Sequence, residues 1–118
     1  MTGADISDID ISMPEIQPPR GAFLALLALR GGAKHGYEIA AHLRERSGGV
    51  FTLSFGALYP ILHRLEKDGL VTGRWQEVGP AKRKKVYALT RKGEAALGAE
   101  RARYLAVAGA LSKLLGET

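Results

Sequence analysis

Ser54-Phe55-Gly56-Ala57-Leu58-Tyr59-Pro60-Ile61-Leu62-His63-Arg64-Leu65-Glu66-Lys67-Asp68-Gly69 is the stretch on which the fold turns. Its apolar positions Leu58, Ile61, Leu62 and Leu65 recur at the spacing of a helix with one buried stripe. Ser54 offers a hydroxyl to a free N–H of the first turn, and Gly69 suits the left-handed residue that commonly ends a helix. The pattern predicts a helix over Phe55–Asp68. Pro60 falls near the end of the first turn, where it removes one hydrogen bond at most and can bend the axis.

Working back from Ser54, Val50–Leu53 reads as a short extended stretch preceded by the stop Ser47-Gly48-Gly49. Gly36–Arg46 reads as a helix whose inner stripe is Tyr37, Ile39, Ala40 and Leu43, with His35 packing or capping at its start. The run Gly21–Leu29, ended by Gly31-Gly32, is a third helix, apolar nearly all round and therefore expected to be buried on two sides. Working forward from Gly69, the composition becomes strand-like. Leu70, Val71, Trp75 and Val78 precede a Gly79-Pro80 turn, Val86, Ala88 and Leu89 follow it, and Lys82-Arg83-Lys84-Lys85 lies between. Thr90 can cap a last helix over Arg91–Leu115, on which Leu97, Tyr104 and Leu111 fall at heptad spacing, widened by Ala108, Leu114 and Leu115.

The charge is unevenly spread. Residues 1–19 contain Asp5, Asp8, Asp10 and Glu15 and neither Lys nor Arg. All 17 basic but only 8 of the 12 acidic side chains therefore lie beyond them, for a net +9 there against +5 overall. So basic a domain suits a polyanion. Residues 1–19 read as a disordered acidic tail closed by Pro18-Pro19. The tail lacks the basic start of a secretory leader, and no apolar run reaches bilayer-spanning length, so a cytoplasmic protein that does not enter a membrane is expected.

Enzyme chemistry finds little footing. With no cysteine, and with His35, His42 and His63 outside any ligand spacing, no metal site is expected. Gly31, Gly32 and Gly36 follow no strand and make no phosphate-binding fingerprint. No nucleophile–base pairing or carboxylate pair stands in a recognisable context, and no cofactor is expected.

Three short helices and a basic hairpin, mainly α with a small β-hairpin, make the winged-helix variant of helix-turn-helix, here with a C-terminal helix suited to dimerisation. A major groove admits one helix, and the helix at Phe55–Asp68 would offer its first turns to base edges. The hairpin cations would meet the flanking phosphates. On this pattern the chain divides into a tail (1–19), a DNA-binding domain (20–90) and a dimerisation helix (91–118).

The segments His35-Gly36-Tyr37-Glu38-Ile39, Ser54-Phe55-Gly56-Ala57-Leu58-Tyr59-Pro60-Ile61-Leu62, Leu65-Glu66-Lys67-Asp68-Gly69-Leu70-Val71 and Arg83-Lys84-Lys85-Val86-Tyr87-Ala88-Leu89-Thr90-Arg91-Lys92-Gly93 resemble the PadR family of transcriptional regulators in order and spacing, over roughly residues 21 to 97. The resemblance implies a homodimeric repressor that binds a palindromic operator in double-stranded DNA. The single helix after Gly93 resembles the family's short subgroup. By position, Ser54, Gly56, Ala57, Tyr59 and Pro60 match the recognition-helix motif, and Tyr37 matches a tyrosine near the DNA backbone. The resemblance also implies a small-molecule effector between subunits, held in some short members by a tryptophan on the last helix. Here the only tryptophan, Trp75, lies on the hairpin, and Tyr104 is the nearest aromatic on the last helix.

Several residues carry two readings. Lys82, Arg83, Lys84 and Lys85 form either a solvated turn or a DNA contact. Tyr59 is either core or groove-facing. His63 and Arg64 are either ordinary surface or contacts to phosphate and base, Arg64 suiting guanine. The apolar residues of the first and last helices, Phe23, Leu24, Leu27, Leu97, Tyr104, Ala108, Leu111 and Leu115, form either the chain's own core or a symmetric dimer interface. For the whole molecule, a DNA-binding regulator stands against a winged helix reused as a protein-interaction module without specific DNA binding.

Overall fold

Three of the four described helices begin on a side chain that answers an orphan backbone donor, as the free N–H groups of a first turn require. In the computed structural model, which describes residues 20–116, His35 Nδ1 accepts from Glu38 N at 3.4 Å while Glu38 Oε1 accepts from His35 N at 3.0 Å, a reciprocal capping box. Ser54 Oγ accepts from Ala57 N at 3.2 Å, and Thr90 Oγ1 from Gly93 N at 3.0 Å. The elements run α1 (Gly21–Leu29), β1 (Lys34–His35), α2 (Gly36–Arg46), α3 (Phe55–Lys67), β2 (Val71–Gly79), β3 (Lys82–Leu89) and α4 (Arg91–Leu115). The acidic tail, residues 1–19, and residues 117–118 lie outside the described residues.

The sheet differs from the expected two-stranded hairpin. It is three-stranded and antiparallel in the order β1-β3-β2, with Lys34 opposite Tyr87 and His35 opposite Val86. A two-residue strand has no period to detect, and its pairing partner lies some fifty residues away. The expected extension at Val50–Leu53 is not a strand either. Its start is tied to the end of α2, since Phe51 N donates to Ser47 Oγ at 2.9 Å and that hydroxyl donates to Leu43 O at 2.7 Å.

The position of the cations is also corrected. The turn spans Gly79 to Lys82, with Ala81 in left-handed backbone at φ 58°, and Lys82–Lys85 lie within β3 itself rather than at the hairpin tip. A strand alternates its faces, so four consecutive cations cannot all point one way.

The core is built around α1. Phe23, Leu24, Ala25, Leu26, Ala28 and Leu29 are buried, and α1 packs against α2, α3, α4 and β3. Ile39, Leu58, Leu62, Leu65, Val71, Tyr87 and Leu97 complete the cluster. The all-round apolarity of α1 is thus met within one chain, because four elements surround it. α3 is fixed by its inner stripe, and the carbonyls just past its end are tied to the start of α4. Lys92 Nζ donates to Asp68 O at 3.0 Å, Thr90 Oγ1 to Gly69 O at 2.6 Å and Thr90 N to Leu70 O at 3.1 Å. No described helix is long and apolar enough to cross a membrane.

Candidate nucleic-acid interface

With Leu58, Leu62 and Leu65 sealed, the opposite face of α3 turns outward. It carries Gly56, Ala57, Tyr59, Pro60, His63, Arg64 and Lys67, all exposed. Tyr59 is 58% exposed, which decides its orientation: its ring stands outside the core, tilted against Phe55 at 5.5 Å between centroids. Among the described residues, nothing beyond its chain neighbours and its own helix backbone lies within 4 Å of where a Cβ on Gly56 would sit. The internal packing therefore makes no use of its smallness, and the start of α3 is left bare for close approach by another molecule. Pro60 cannot donate to the Gly56 carbonyl four residues back, which costs the second turn of α3 one backbone bond. Ser54 spends its hydroxyl on the cap, and Arg64 Nε lies 3.3 Å from Asp68 Oδ2 while its side chain stays largely exposed.

The hairpin stands beside this face. Trp75 is exposed, with the Arg83 guanidinium 5.2 Å and the Lys85 ammonium 5.8 Å from its ring, within range of cation–π attraction. The strand register causes this grouping, since Trp75 is paired across the ladder with Lys85. Lys85 Nζ donates to Glu66 Oε1 on α3 at 2.9 Å, and this hydrogen bond holds the ammonium above its ordinary pKa. Burial pushes the Tyr87 phenol up. The four cations are therefore not equivalent. Lys85 is engaged with α3 and Arg83 lies over Trp75, whereas Lys82 and Lys84 are exposed and make no ion pair among the described residues.

Tyr37, the second residue of α2, does not join the inner stripe expected for it: its ring is exposed and stacks on His35 at 6.5 Å between centroids, leaving Ile39 and Leu43 as the buried positions. His35, Tyr37, Tyr59, Trp75, Arg83, Lys84 and Lys85 line one recess of about 160 Å³ between α2, α3 and the hairpin. The structure thus brings Tyr37, Tyr59, Arg83, Lys84 and Lys85 together. It sets His63 and Arg64 apart, on the outer side of α3 with Pro60 and Lys67. Trp75, Lys67 and Glu66 were not among the expected site residues. Lys67 had a usable signal, since it follows His63 by four residues on the outward face. Trp75 and Glu66 acquire their meaning from contacts across elements.

The apolar residues of α1 and α4 divide in two. Leu97 is 3% exposed and Phe23 and Leu24 are nearly as buried, so they belong to the chain's own core and have little surface left for a second copy. Tyr104 stacks on Phe23 at 4.8 Å and is half-buried, and Leu27 packs at the edge of the core. Beyond Tyr104 the helix runs free of the core, leaving Leu105, Ala108, Leu111, Leu114 and Leu115 exposed. A groove of about 500 Å³ opens between α1, α2 and α4, bordered by Leu27, His42, Arg46, Phe51, Tyr104 and Ala108. Burial first, then Lys34 and Arg46, lowers the pKa of His42 there. Among the described residues no group of three or more His, Asp or Glu side chains is placed to hold a metal ion.

A profile of the Transcriptional regulator PadR-like family matches residues 24–99. The chain is 33% identical over 66 residues to the negative transcriptional regulator PadR of Bacillus subtilis (strain 168), covering 56% of this chain and 36% of that protein. The chain spans between 36% and 59% of the length of the curated relatives it matches. Its fold is similar to the crystal structure of Bacillus subtilis PadR in complex with operator DNA, with a TM-score of 0.62 and 31% identity over 65% of this chain and 44% of that one. It is also similar to a PadR family transcription regulator from Clostridium difficile R20291, with a TM-score of 0.68 and 28% identity over 81% of this chain and 98% of that one.

Proposed function

The chain belongs to the PadR-like family of transcriptional regulators, and from that membership we propose that it binds a palindromic operator in duplex DNA as a homodimer and represses transcription by occupying it. One observation carries the reading: a bare, outward helix face at α3 stands beside an aromatic and cationic hairpin. Gly56, Ala57, Tyr59, Pro60, His63 and Arg64, joined by Lys67, enter the major groove. The α3 N-terminus, with its positive dipole end and Ser54 cap, faces a phosphate. Tyr37 and the hairpin cations, chiefly Lys82, Arg83 and Lys84, meet the flanking backbone. Lys85 contributes less directly, because Glu66 already holds it.

Dimerisation belongs to the far half of α4. Tyr104, Ala108, Leu111 and Leu115 share a stripe with no cover among the described residues beyond Tyr104, and a matching stripe from a second copy would bury it in a two-fold interface. The functional division then falls near Tyr104 rather than at residue 90, since Gly93 and Leu97 are buried parts of the DNA-binding unit. Two α3 helices about 34 Å apart along the duplex would read the two halves of the operator. The groove between α1, α2 and α4 lies against this seam, where a small-molecule effector could change the spacing of the two α3 helices and relieve repression.

Selection of bound fragments from a random duplex library by the purified chain, followed by gel shifts at two salt concentrations, tests the reading. A recovered inverted repeat, bound more weakly as salt rises, is expected. No retardation of any duplex at low salt would leave the protein-interaction module as the better account.

A further inference from the structure

We propose that Glu66 is a positioning residue for DNA recognition: its grip on Lys85 sets the angle between α3 and the hairpin, so that both fit the same operator. The inference rests on the reading of α3 and the hairpin as the DNA-binding surface.

Among the described ion pairs, Lys85–Glu66 is the one that joins different parts of the fold. The other three, His35–Glu38, Arg64–Asp68 and Arg103–Glu100, each link residues three or four apart in sequence. Lys85 and Glu66 are separated by 19 positions, one on the hairpin and one at the end of α3, and they meet at 2.9 Å. Their side chains are 25% and 33% exposed, so the contact is partly shielded from water and salt. The ammonium is also held from the side, 5.8 Å from the Trp75 ring and 5.6 Å from the Tyr87 ring.

The backbone makes room for this contact. Gly73 on β2 lies opposite Tyr87, and a Cβ there would fall 3.1 Å from Glu66 Oε2 and 3.3 Å from the Tyr87 ring while running into Lys85 Cε. Any larger residue there would make the Lys85 side chain shift from its present path. Three elements thus converge on a single charged contact between the helix and the hairpin.

Electrostatics alone predicts the opposite of what this role predicts. A carboxylate near a phosphate backbone weakens binding to every duplex, so its removal should strengthen binding without regard to sequence. A positioning role predicts that removal loosens the hairpin against α3. Contacts that must be made together on one operator then lose register, while binding to random DNA does not fall. A single partly exposed ion pair adds little to folding stability, so the loss should appear in recognition rather than in melting.

The test uses the full chain, the duplex recovered by library selection and a random duplex of equal length. Glu66→Gln should lower the ratio of operator to random affinity by about tenfold, a mid-range coupling for side chains in contact, with Tm nearly unchanged. The charge exchange Glu66→Lys with Lys85→Glu keeps the net charge and should recover most of the ratio. If Glu66→Gln strengthens binding to both duplexes by the same factor, the positioning role is wrong and the carboxylate acts only by its charge. If the exchanged protein melts like the parent but recovers no discrimination, the contact is not what sets the angle. A parent chain that does not distinguish the two duplexes overturns the DNA reading itself, and this inference with it.

Discussion

Gly93 shows how little freedom a single position can have. The first turn of α4 lies directly on the Leu70 carbonyl, which already accepts from Thr90 N at 3.1 Å. A Cβ on Gly93 would collide with Leu70 O and come within 3.0 Å of its carbonyl carbon. Since that oxygen is backbone, no rotamer change relieves the clash. Gly93→Ala should cost about 1–3 kcal/mol, as overpacking generally does, and lower Tm by about 5–20 °C for a domain of this size. Gly98→Ala is the control, because no described atom beyond its neighbours and its own helix backbone lies within 4 Å of its Cβ position, and alanine favours a helix. It should hold or raise Tm. Equal melting of the two variants would mean that α4 slides off Leu70 at little cost. The helical period alone does not separate these two glycines, since both sit in the same amphipathic helix; only Gly93 lies within the Arg83–Gly93 segment that resembles the family.

Within the hairpin, strand alternation divides a run of like charges into different tasks. Lys85 and Arg83 are drawn to Trp75, and Lys85 further to Glu66, while Lys82 and Lys84 keep their ammonium groups exposed. Replacing Lys82 and Lys84 together by alanine should weaken binding to operator and random duplex alike. It should also reduce the slope of log affinity against log salt by about 1.8, roughly 0.9 for each phosphate no longer neutralised. Gel shifts across a salt series measure this, and an unchanged slope would remove both lysines from the interface. The run Lys82-Arg83-Lys84-Lys85 was legible as a basic element, but its place was not. Gly79-Pro80 marks where a turn starts, whereas the length of the turn depends on the register with β2, which carries an irregularity between Glu77 and Gly79.

Across the molecule, the division of apolar surface matters most. α1 is spent on the chain's own core, and α4 is shared: its first half packs inward through Gly93 and Leu97, and its second half exposes Leu105, Leu111, Leu114 and Leu115. Leu111→Asp places a charge in the proposed seam without touching a buried position, since Leu111 is 48% exposed in the single chain. Light scattering should show a dimer for the parent and a monomer for the variant, and operator binding should fall with it because two half-sites are no longer held together. A variant that remains dimeric would move the interface elsewhere, with the groove between α1, α2 and α4 as the next surface to test.

Where α2, α3 and α4 start, and which stripe α3 buries, was settled within a few residues of chain. His35, Ser54 and Thr90 cap their helices through bonds to residues three positions on, and the stripe Leu58-Leu62-Leu65 is a matter of helical period. The pairing of Lys34–His35 with β3, the engagement of Lys85 by Glu66, the exposure of Tyr59 and Trp75 and the sealing of Leu97 arose only on packing. Each depends on contacts between segments far apart in the chain, whose distances are set by how the elements lie on one another and leave no periodic trace in the sequence.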